Sequence, residues 1–370
     1  MTPGLAAIAA ELVVEPGVAP AAAVAVAYRE GDAWHLESGA AGKLACSSDT
    51  PLTEDCLFDL ASVSKPLVAA TLVRSSQNGA LSLACPLTQL LPCVRSTPAE
   101  RCSLEQLLSH RAGLKAHVPL YAPLASGRAF DRSAALREAA QAMRSECAGA
   151  APGAEQPPLY SDLGYVLAGA AAEHVSSEAL DALLLEHVAK PLNLRVGSAR
   201  QCLREDPQFF ARVVPTEVVP WRGGELAGVV HDDNAWALAG HGLSGQAGLF
   251  GTAAAVARFG AAVLDALAGR DERWLDRAAA AFLCRARPGG TLRAGFDGKA
   301  GRGSSAGERA GPLTFGHLGF TGTSFWCDPE RDCVTVLLTN RVRFGAERER
   351  IRLARPRVHD ALFTWAGARM

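Results

Sequence analysis

The stretch from Phe58 to Gly79, FDLASVSKPLVAATLVRSSQNG, constrains this chain more than any other. Phe58-Asp59-Leu60-Ala61 reads as extended, and an apolar run follows through Leu67, Val68, Ala69, Ala70, Leu72 and Val73 to Asn78-Gly79. A run with so little polar interruption and a glycine at its end predicts a buried helix with a C-terminal stop. Pro66 sets the start, because proline fits only the first helical turn, where its missing N–H has no partner to lose. Ser62 to Lys65 is therefore expected in that first turn. A helix of this kind needs a large core around it. The chain supplies one: 370 residues, 49% of them hydrophobic, suit one large or two medium domains.

This placement puts Ser62 at the positive end of the helix, where outward N–H groups can hold an anion. Lys65, three residues on, emerges on the same face. A serine hydroxyl is a weak nucleophile until a base takes its proton, and an amine in apolar surroundings loses part of its preference for charge. Ser-x-x-Lys here is thus a candidate nucleophile and base. The plainer reading is a serine N-cap followed by a solvated lysine. Against it, no other lysine has a serine three positions before it, and this helix is too apolar for a surface.

The formal net charge of -1 gives no reason to expect nucleic acid or an anionic membrane as partner. The opening MTPGLAAIAAELVVEPG lacks a basic leader and carries Glu11, so a short amphipathic helix and a cytoplasmic location are expected. No apolar run approaches the length of a membrane span. With no secretion signal, the ten cysteines read as free buried thiols. Cys327 and Cys333 flank a short turn and could face one another across a hairpin. There is no Cys-x-x-Cys, no zinc-like histidine spacing and no glycine-rich phosphate loop after a strand, so neither metal nor cofactor is expected.

Ala21 to Tyr28 reads as a strand, followed by a turn at Glu30-Gly31-Asp32 and a second strand from Trp34. From Ala84 to about Gly251 helical segments alternate with Pro- and Gly-bearing loops: Leu104 to Ser109, Arg132 to Cys147, Leu163 to Val175. Leu313 to Leu318, Thr323 to Cys327 and Cys333 to Thr339 read as strands, and Ala346 to Gly367 as a terminal helix. Lys299 to Pro312 reads as a mobile Gly/Ser-rich loop. The simplest architecture is a discontinuous α/β domain, residues 1–83 plus 252–370. A mostly helical domain, 84–251, is inserted in it, and a cleft lies between the two.

An acyl-transfer site also needs a proton donor and oxyanion donors. Tyr160-Ser161-Asp162 follows a Pro/Gly-rich loop and precedes a helix that Asp162 or Ser161 could cap, leaving Tyr160 to project into a cleft or to sit in the core. Gly316-His317-Leu318-Gly319-Phe320-Thr321-Gly322 lies between two expected strands. Gly319 permits a close backbone approach and the Phe320 N–H could face a bound carbonyl, although a β-bulge or hairpin turn accounts for the glycines too.

Ser62-Val63-Ser64-Lys65, Tyr160-Ser161-Asp162 and His317-Leu318-Gly319 occur in order. Together they resemble the three signatures of the serine β-lactamase and penicillin-binding-protein superfamily, in its class C-like branch. Leu107 to Leu114 is similar to that family's "LL-x-H-x-x-GL", and Ala247 to Ala253 to its "AGLFST". The resemblance spans roughly residues 20 to 365. It implies an antiparallel sheet flanked by helices, with a mostly helical insertion. It implies Ser62 as acylated nucleophile, Lys65 and Tyr160 as acid/base groups, and the N–H groups of Ser62 and Phe320 as oxyanion hole. Asp162, His317, Gly319 and Thr321 would be substrate-facing. Such lactamases usually carry Tyr-x-Asn and Lys-Thr-Gly. Asp162 for Asn removes an amide donor, and His317 for Lys weakens the charge that attracts a carboxylate.

The expected function is a serine hydrolase acting through an acyl-enzyme on a small-molecule ester, amide or D-amino-acid peptide. A true β-lactamase and a non-turnover penicillin-binding sensor are the alternatives, and the oligomeric state stays open. Among the remaining candidates, His231-Asp232-Asp233-Asn234 reads as a polar turn capping the next segment, with a place beside the cleft as the second reading. His110 is expected to organise a buried turn. The arginines from Arg341 to Arg357 are expected on a solvated helix face.

Overall fold

The N-terminal hairpin shows how the sheet is buried. The structure, a computed structural model, describes residues 3–44, 49–151, 153–345 and 348–370. Strand β1 (Ala21–Glu30) turns at Gly31, whose φ of 59° favours glycine, into β2 (Ala33–Gly42). In β1, Ala21, Ala23, Ala25 and Ala27 enter one core, while Ala22, Val24, Val26 and Tyr28 enter another on the opposite face. An apolar strand without polar alternation is one covered on both sides.

Strand β3 (Phe58–Asp59) leads into the central helix. It pairs in a small three-stranded sheet with β5 (Leu249–Gly251), which also pairs β4 (Val196–Ser198). This sheet joins the N-terminal segment to the middle of the chain. The late strands β6 (Asp297–Gly298), β7 (Phe315–Leu318), β8 (Ser324–Asp328) and β9 (Cys333–Thr339) complete the main six-stranded antiparallel sheet, in the order β2-β1-β9-β8-β7-β6. The expected strands are thus present.

The central helix α1 (Ser64–Gln77) is buried along most of its length and ends at Asn78-Gly79. Its first turn is Ser64 to Leu67, with Pro66 inside it. Ser62 lies one step earlier, in a 3₁₀ turn over Ala61–Val63, which corrects the expected start. Then come α2 (Leu104–Leu108), α3 (Asp162–Ser176), α4 (Asp233–Ala239), α5 (Ala253–Ala268) and α6 (Glu349–Gly367). Helix α5 covers one face of the main sheet. Helix α6 and the N-terminal helix Leu5–Ala9 cover the other.

The expected terminal helix begins at 346, but 346 and 347 lie outside the described residues. The helix expected over Arg132 to Cys147 stops at Gln141, and a 3₁₀ turn forms at Ser145–Cys147, because Met143 instead pairs with Leu114 in a β-bridge.

Cys327 stands opposite Val334 and Cys333 opposite Asp328, so the two sulfurs point to opposite faces of the sheet and are free thiols. The Lys299–Pro312 segment is tied down. Ala306 and Ala310 are buried, and Arg309 N–H donates to Asp360 on α6.

Candidate active site

The backbone before Ser62 is bent by an aspartate. Asp59 Oδ1 accepts from the Ala61 N–H at 2.7 Å, a side chain capturing the amide two residues on. Ala61 takes a φ of 47°, in the left-handed region where a Cβ costs energy. The bend brings the half-buried Ser62 into the 3₁₀ turn ahead of α1. Among the described residues, no protein group accepts from the Ser62 N–H.

Lys65 is wholly buried. Its Nζ lies 2.9 Å from Ser62 Oγ, 3.1 Å from the Gln246 carbonyl and 2.7 Å from Asp162 Oδ1. It also sits 5.0 Å from the centre of the Tyr160 ring. Burial alone would pull the ammonium down, as the sequence suggested. The charge of Asp162, then that of Tyr160, more than offsets this, and its pKa is raised above the ordinary lysine value. The expectation of a lysine with weakened charge preference is therefore wrong: the neighbouring carboxylate holds the proton on. Tyr160 is held up too, by burial first and by Asp162, against the lowering effect of Lys65 and of hydrogen bonds with Lys65 and Ser62. The resting pair is an ammonium beside a neutral phenol.

Ser161 occupies the N-cap position of α3 and Asp162 its first turn, but neither side chain caps it. Ser161 Oγ donates instead to the Lys115 carbonyl at 2.6 Å, and Asp162 is turned to Lys65. His110, at a φ of 61°, accepts from the Ser161 N–H through Nδ1 at 3.0 Å and lies against the rings of Tyr160 and Tyr165. It organises the turn below Tyr160, as expected. Asp232 caps α4 through the Ala235 N–H. The His231 N–H beside it donates to Asp59 Oδ2 at 2.6 Å.

The turn after β7 closes the other side. His317 is buried with Nδ1 2.8 Å from the Leu318 carbonyl oxygen. Burial, then the charge of Lys65, takes its pKa down to about 3, so this imidazole is neutral. A Cβ on Gly319 would fall 2.0 Å from Thr323 Oγ1 and 2.7 Å from the Leu60 carbonyl oxygen, which explains the glycine. Thr321 is fully buried and donates to the Asp59 carbonyl at 2.8 Å, and Thr323 donates to that of Leu60 at 2.9 Å. Phe320 is 37% exposed, and its N–H donates to no protein group among the described residues.

The structure thus brings Ser62, Lys65, Tyr160 and Asp162 together, with His317 packed on Tyr160 at 5.8 Å between ring centres. Sequence reasoning missed Asp59, Gln246, Arg341 and Arg355. Arg341 and Arg355 hold the 319–323 turn from behind instead of lying on a solvated face. Asp59 carried a readable signal, an Asp two residues before a bend; Gln246, which acts through its backbone carbonyl, carried none. A separate cavity of about 570 Å³, lined by Arg101, Glu105, Arg285 and Arg287 among others, includes none of the site residues.

The pattern of the Beta-lactamase family matches residues 9–358. A protein of Salmonella paratyphi A named "Putative D-alanyl-D-alanine carboxypeptidase" is 26% identical over 308 residues, covering 78% of this chain and 70% of its own. Among solved structures, EstCE1, a hydrolase with promiscuous acyltransferase activity, matches with a TM-score of 0.71 at 21% identity, covering 97% of this chain and 98% of its own. A class C beta lactamase from Rhodobacter sphaeroides matches with a TM-score of 0.69 at 20% identity, covering 98% and 99%. At such identities the structural matches speak for the shared fold, and the family match spans nearly the whole chain. The chain belongs to the Beta-lactamase family and is a serine hydrolase of the β-lactamase and penicillin-binding-protein kind.

Proposed function

We propose that the enzyme hydrolyses small esters or amides through an acyl-enzyme on Ser62. The observation that carries this reading is the Lys65 ammonium 2.9 Å from Ser62 Oγ, together with two amides, of Ser62 and Phe320, that have no protein acceptor among the described residues. Such unpaired amides, open to the cleft, suit a developing oxyanion.

Proton bookkeeping favours Tyr160 as first base. The carboxylate of Asp162 keeps Lys65 protonated, so the base is the minor form in which Tyr160 has first released its phenolic proton to water, with the ammonium beside it stabilising the phenolate that accepts the Ser62 proton. Ser62 Oγ then bonds to the acyl carbon and its proton passes to Tyr160. The same proton goes to the leaving oxygen or nitrogen as that bond breaks. Water repeats the sequence to release the acid, with Tyr160 again as base.

The cleft in this reading lies between residues 1–83 plus 252–370, which supply Ser62, Lys65 and His317, and residues 84–251, which supply Tyr160, Asp162 and the Gln246 carbonyl. His317, being neutral, offers no fixed charge to a substrate carboxylate, and Asp162 is an acceptor where an amide would donate. These two features favour neutral esters or amides over β-lactams. The relative named for D-alanyl-D-alanine carboxypeptidase activity supports including D-amino-acid peptides among the candidates. The nine cysteines among the described residues are free thiols, which supports a cytoplasmic placement.

The test is a panel of short p-nitrophenyl esters, nitrocefin and D-amino-acid amides with wild type and Ser62→Ala. The variant is expected to lose about a thousandfold or more. Full activity in the variant would sink the reading, and nitrocefin turnover rivalling ester cleavage would return the enzyme to the β-lactamases.

A further inference from the structure

Helix α6 reaches the proposed oxyanion hole from behind. Its His359 is buried between two hydroxyls of the sheet, with Nε2 2.8 Å from Ser324 Oγ on β8 and Nδ1 2.9 Å from Thr335 Oγ1 on β9. One helical turn earlier, on the same face, Arg355 extends to the 319–323 turn. One of its terminal nitrogens donates to the Gly319 carbonyl at 2.7 Å and to the Thr323 carbonyl at 2.9 Å. Among the described residues no carboxylate pairs with this guanidinium. A half-buried arginine given to carbonyls alone is an unusual use of a charge, because cations withdrawn from water are normally matched by an acid.

What Arg355 holds is informative. The Gly319 carbonyl and the Phe320 N–H belong to one peptide unit, and in a trans peptide the two point in opposite directions. No peptide of the described chain is cis. Fixing the oxygen therefore fixes the direction of the N–H. The next peptide is held in the same way, since Arg341 Nε and a terminal nitrogen donate to the Phe320 carbonyl at 2.9 and 2.6 Å. In front, Thr321 and Thr323 tie the turn to the Asp59 and Leu60 carbonyls. Within this lacing the Phe320 N–H, like those of Thr321 and Thr323, has no protein acceptor among the described residues. A cationic donor on the carbonyl also polarises the peptide, which strengthens its N–H as a donor.

We propose that Arg355 is a positioning residue of the oxyanion hole: by gripping the Gly319 carbonyl it aims and polarises the Phe320 N–H toward the acyl oxygen of a bound substrate. This rests on the reading of Ser62 as nucleophile and Phe320 as anion donor.

The experiment compares wild type, Arg355→Met and Arg355→Lys on a p-nitrophenyl ester and on its thiono counterpart, in which sulfur replaces the carbonyl oxygen. Sulfur accepts hydrogen bonds weakly, so the oxo-to-thiono rate ratio reports the hole itself. Arg355→Met is expected to lose about ten- to a hundredfold in kcat on the oxo ester, with KM changed less than about threefold. The oxo-to-thiono ratio falls in step, and Arg355→Lys recovers part of both. Equal slowing of the two substrates would assign Arg355 to packing alone and overturn the proposal, as would an unchanged kcat. If Arg355→Met does not fold, Arg355→Lys decides by the same ratio. Failure of the underlying reading looks different: wild-type Ser62 would not be labelled by a fluorophosphonate, and the proposal would fall with it.

Discussion

Lys65, wholly buried, and Arg355, half-buried, are both cations within the site's framework, and their partners differ in kind. Lys65 faces a carboxylate, Asp162, at 2.7 Å; Arg355 faces peptide carbonyls. The carboxylate raises the lysine's hold on its proton. Burial and the nearby charge of Arg341 instead pull Arg355 down to about 9, which still leaves it cationic at neutral pH. The contrast teaches that a buried cation with a counter-ion is a fixed charge beside the chemistry. One solvated only by backbone keeps its field uncancelled and can lend it to the peptides it touches.

The largest effect should come from the group that this contrast leaves as base. Tyr160→Phe keeps the ring and the Lys65–Asp162 pair and removes only the hydroxyl. A loss of about a hundred- to ten-thousandfold in kcat on an ester is expected. Near-wild-type turnover would hand the base role to Lys65 and break the comparison.

Asp162→Asn removes the counter-charge itself. Breaking such a pair typically costs about 3 kcal/mol, measurable by urea unfolding. In the wild type a lysine with a raised native pKa contributes stability that is fully present below its unfolded value near 10.4 and is lost as pH climbs through the native one. Asp162 raises both Lys65 and Tyr160, so in the variant the rising limb of kcat/KM should move to lower pH. An unmoved limb would mean that the carboxylate does not govern the pair.

The effect furthest from the chemistry concerns the docking of α6, which carries Arg355. Burial, then the charge of Arg355, takes the His359 pKa down to about 3, against about 6.5 in an unfolded chain. The unfolded state thus binds the extra proton between those values. The contribution of this histidine is present above about pH 6.5 and declines as pH falls toward 3, by about 1.4 kcal/mol per pH unit. His359→Gln should flatten the acid side of the stability profile by that slope. Identical slopes would show that the imidazole does not sit neutral between Ser324 and Thr335.

The proposed reactive groups were legible because their chemistry depends on spacing that the chain displays: Ser62 to Lys65, Tyr160 to Asp162, and the glycines around His317. The strands were legible for a similar reason, since β1 and β9 are apolar on both faces and bounded by turns. The supports were not. Arg355 lies among arginines and glutamates that read as a wet helix face, and only the packing of α6 on the sheet turns it inward. The charge state of Lys65 was misread because apolar neighbours in sequence argue for a depressed pKa, whereas the deciding neighbour, Asp162, is distant along the chain. Ala61 gave no hint of its left-handed backbone, which Asp59 and the 319–323 turn impose from outside.

That alanine also marks a point where durability and speed pull apart. A non-glycine residue in the left-handed region carries a penalty of about 1–2 kcal/mol. Exchange for glycine would relieve it, and selection for heat resistance alone would find the change attractive. The same exchange would release the hinge that presents Ser62, so a toughened variant would gain lifetime by surrendering aim.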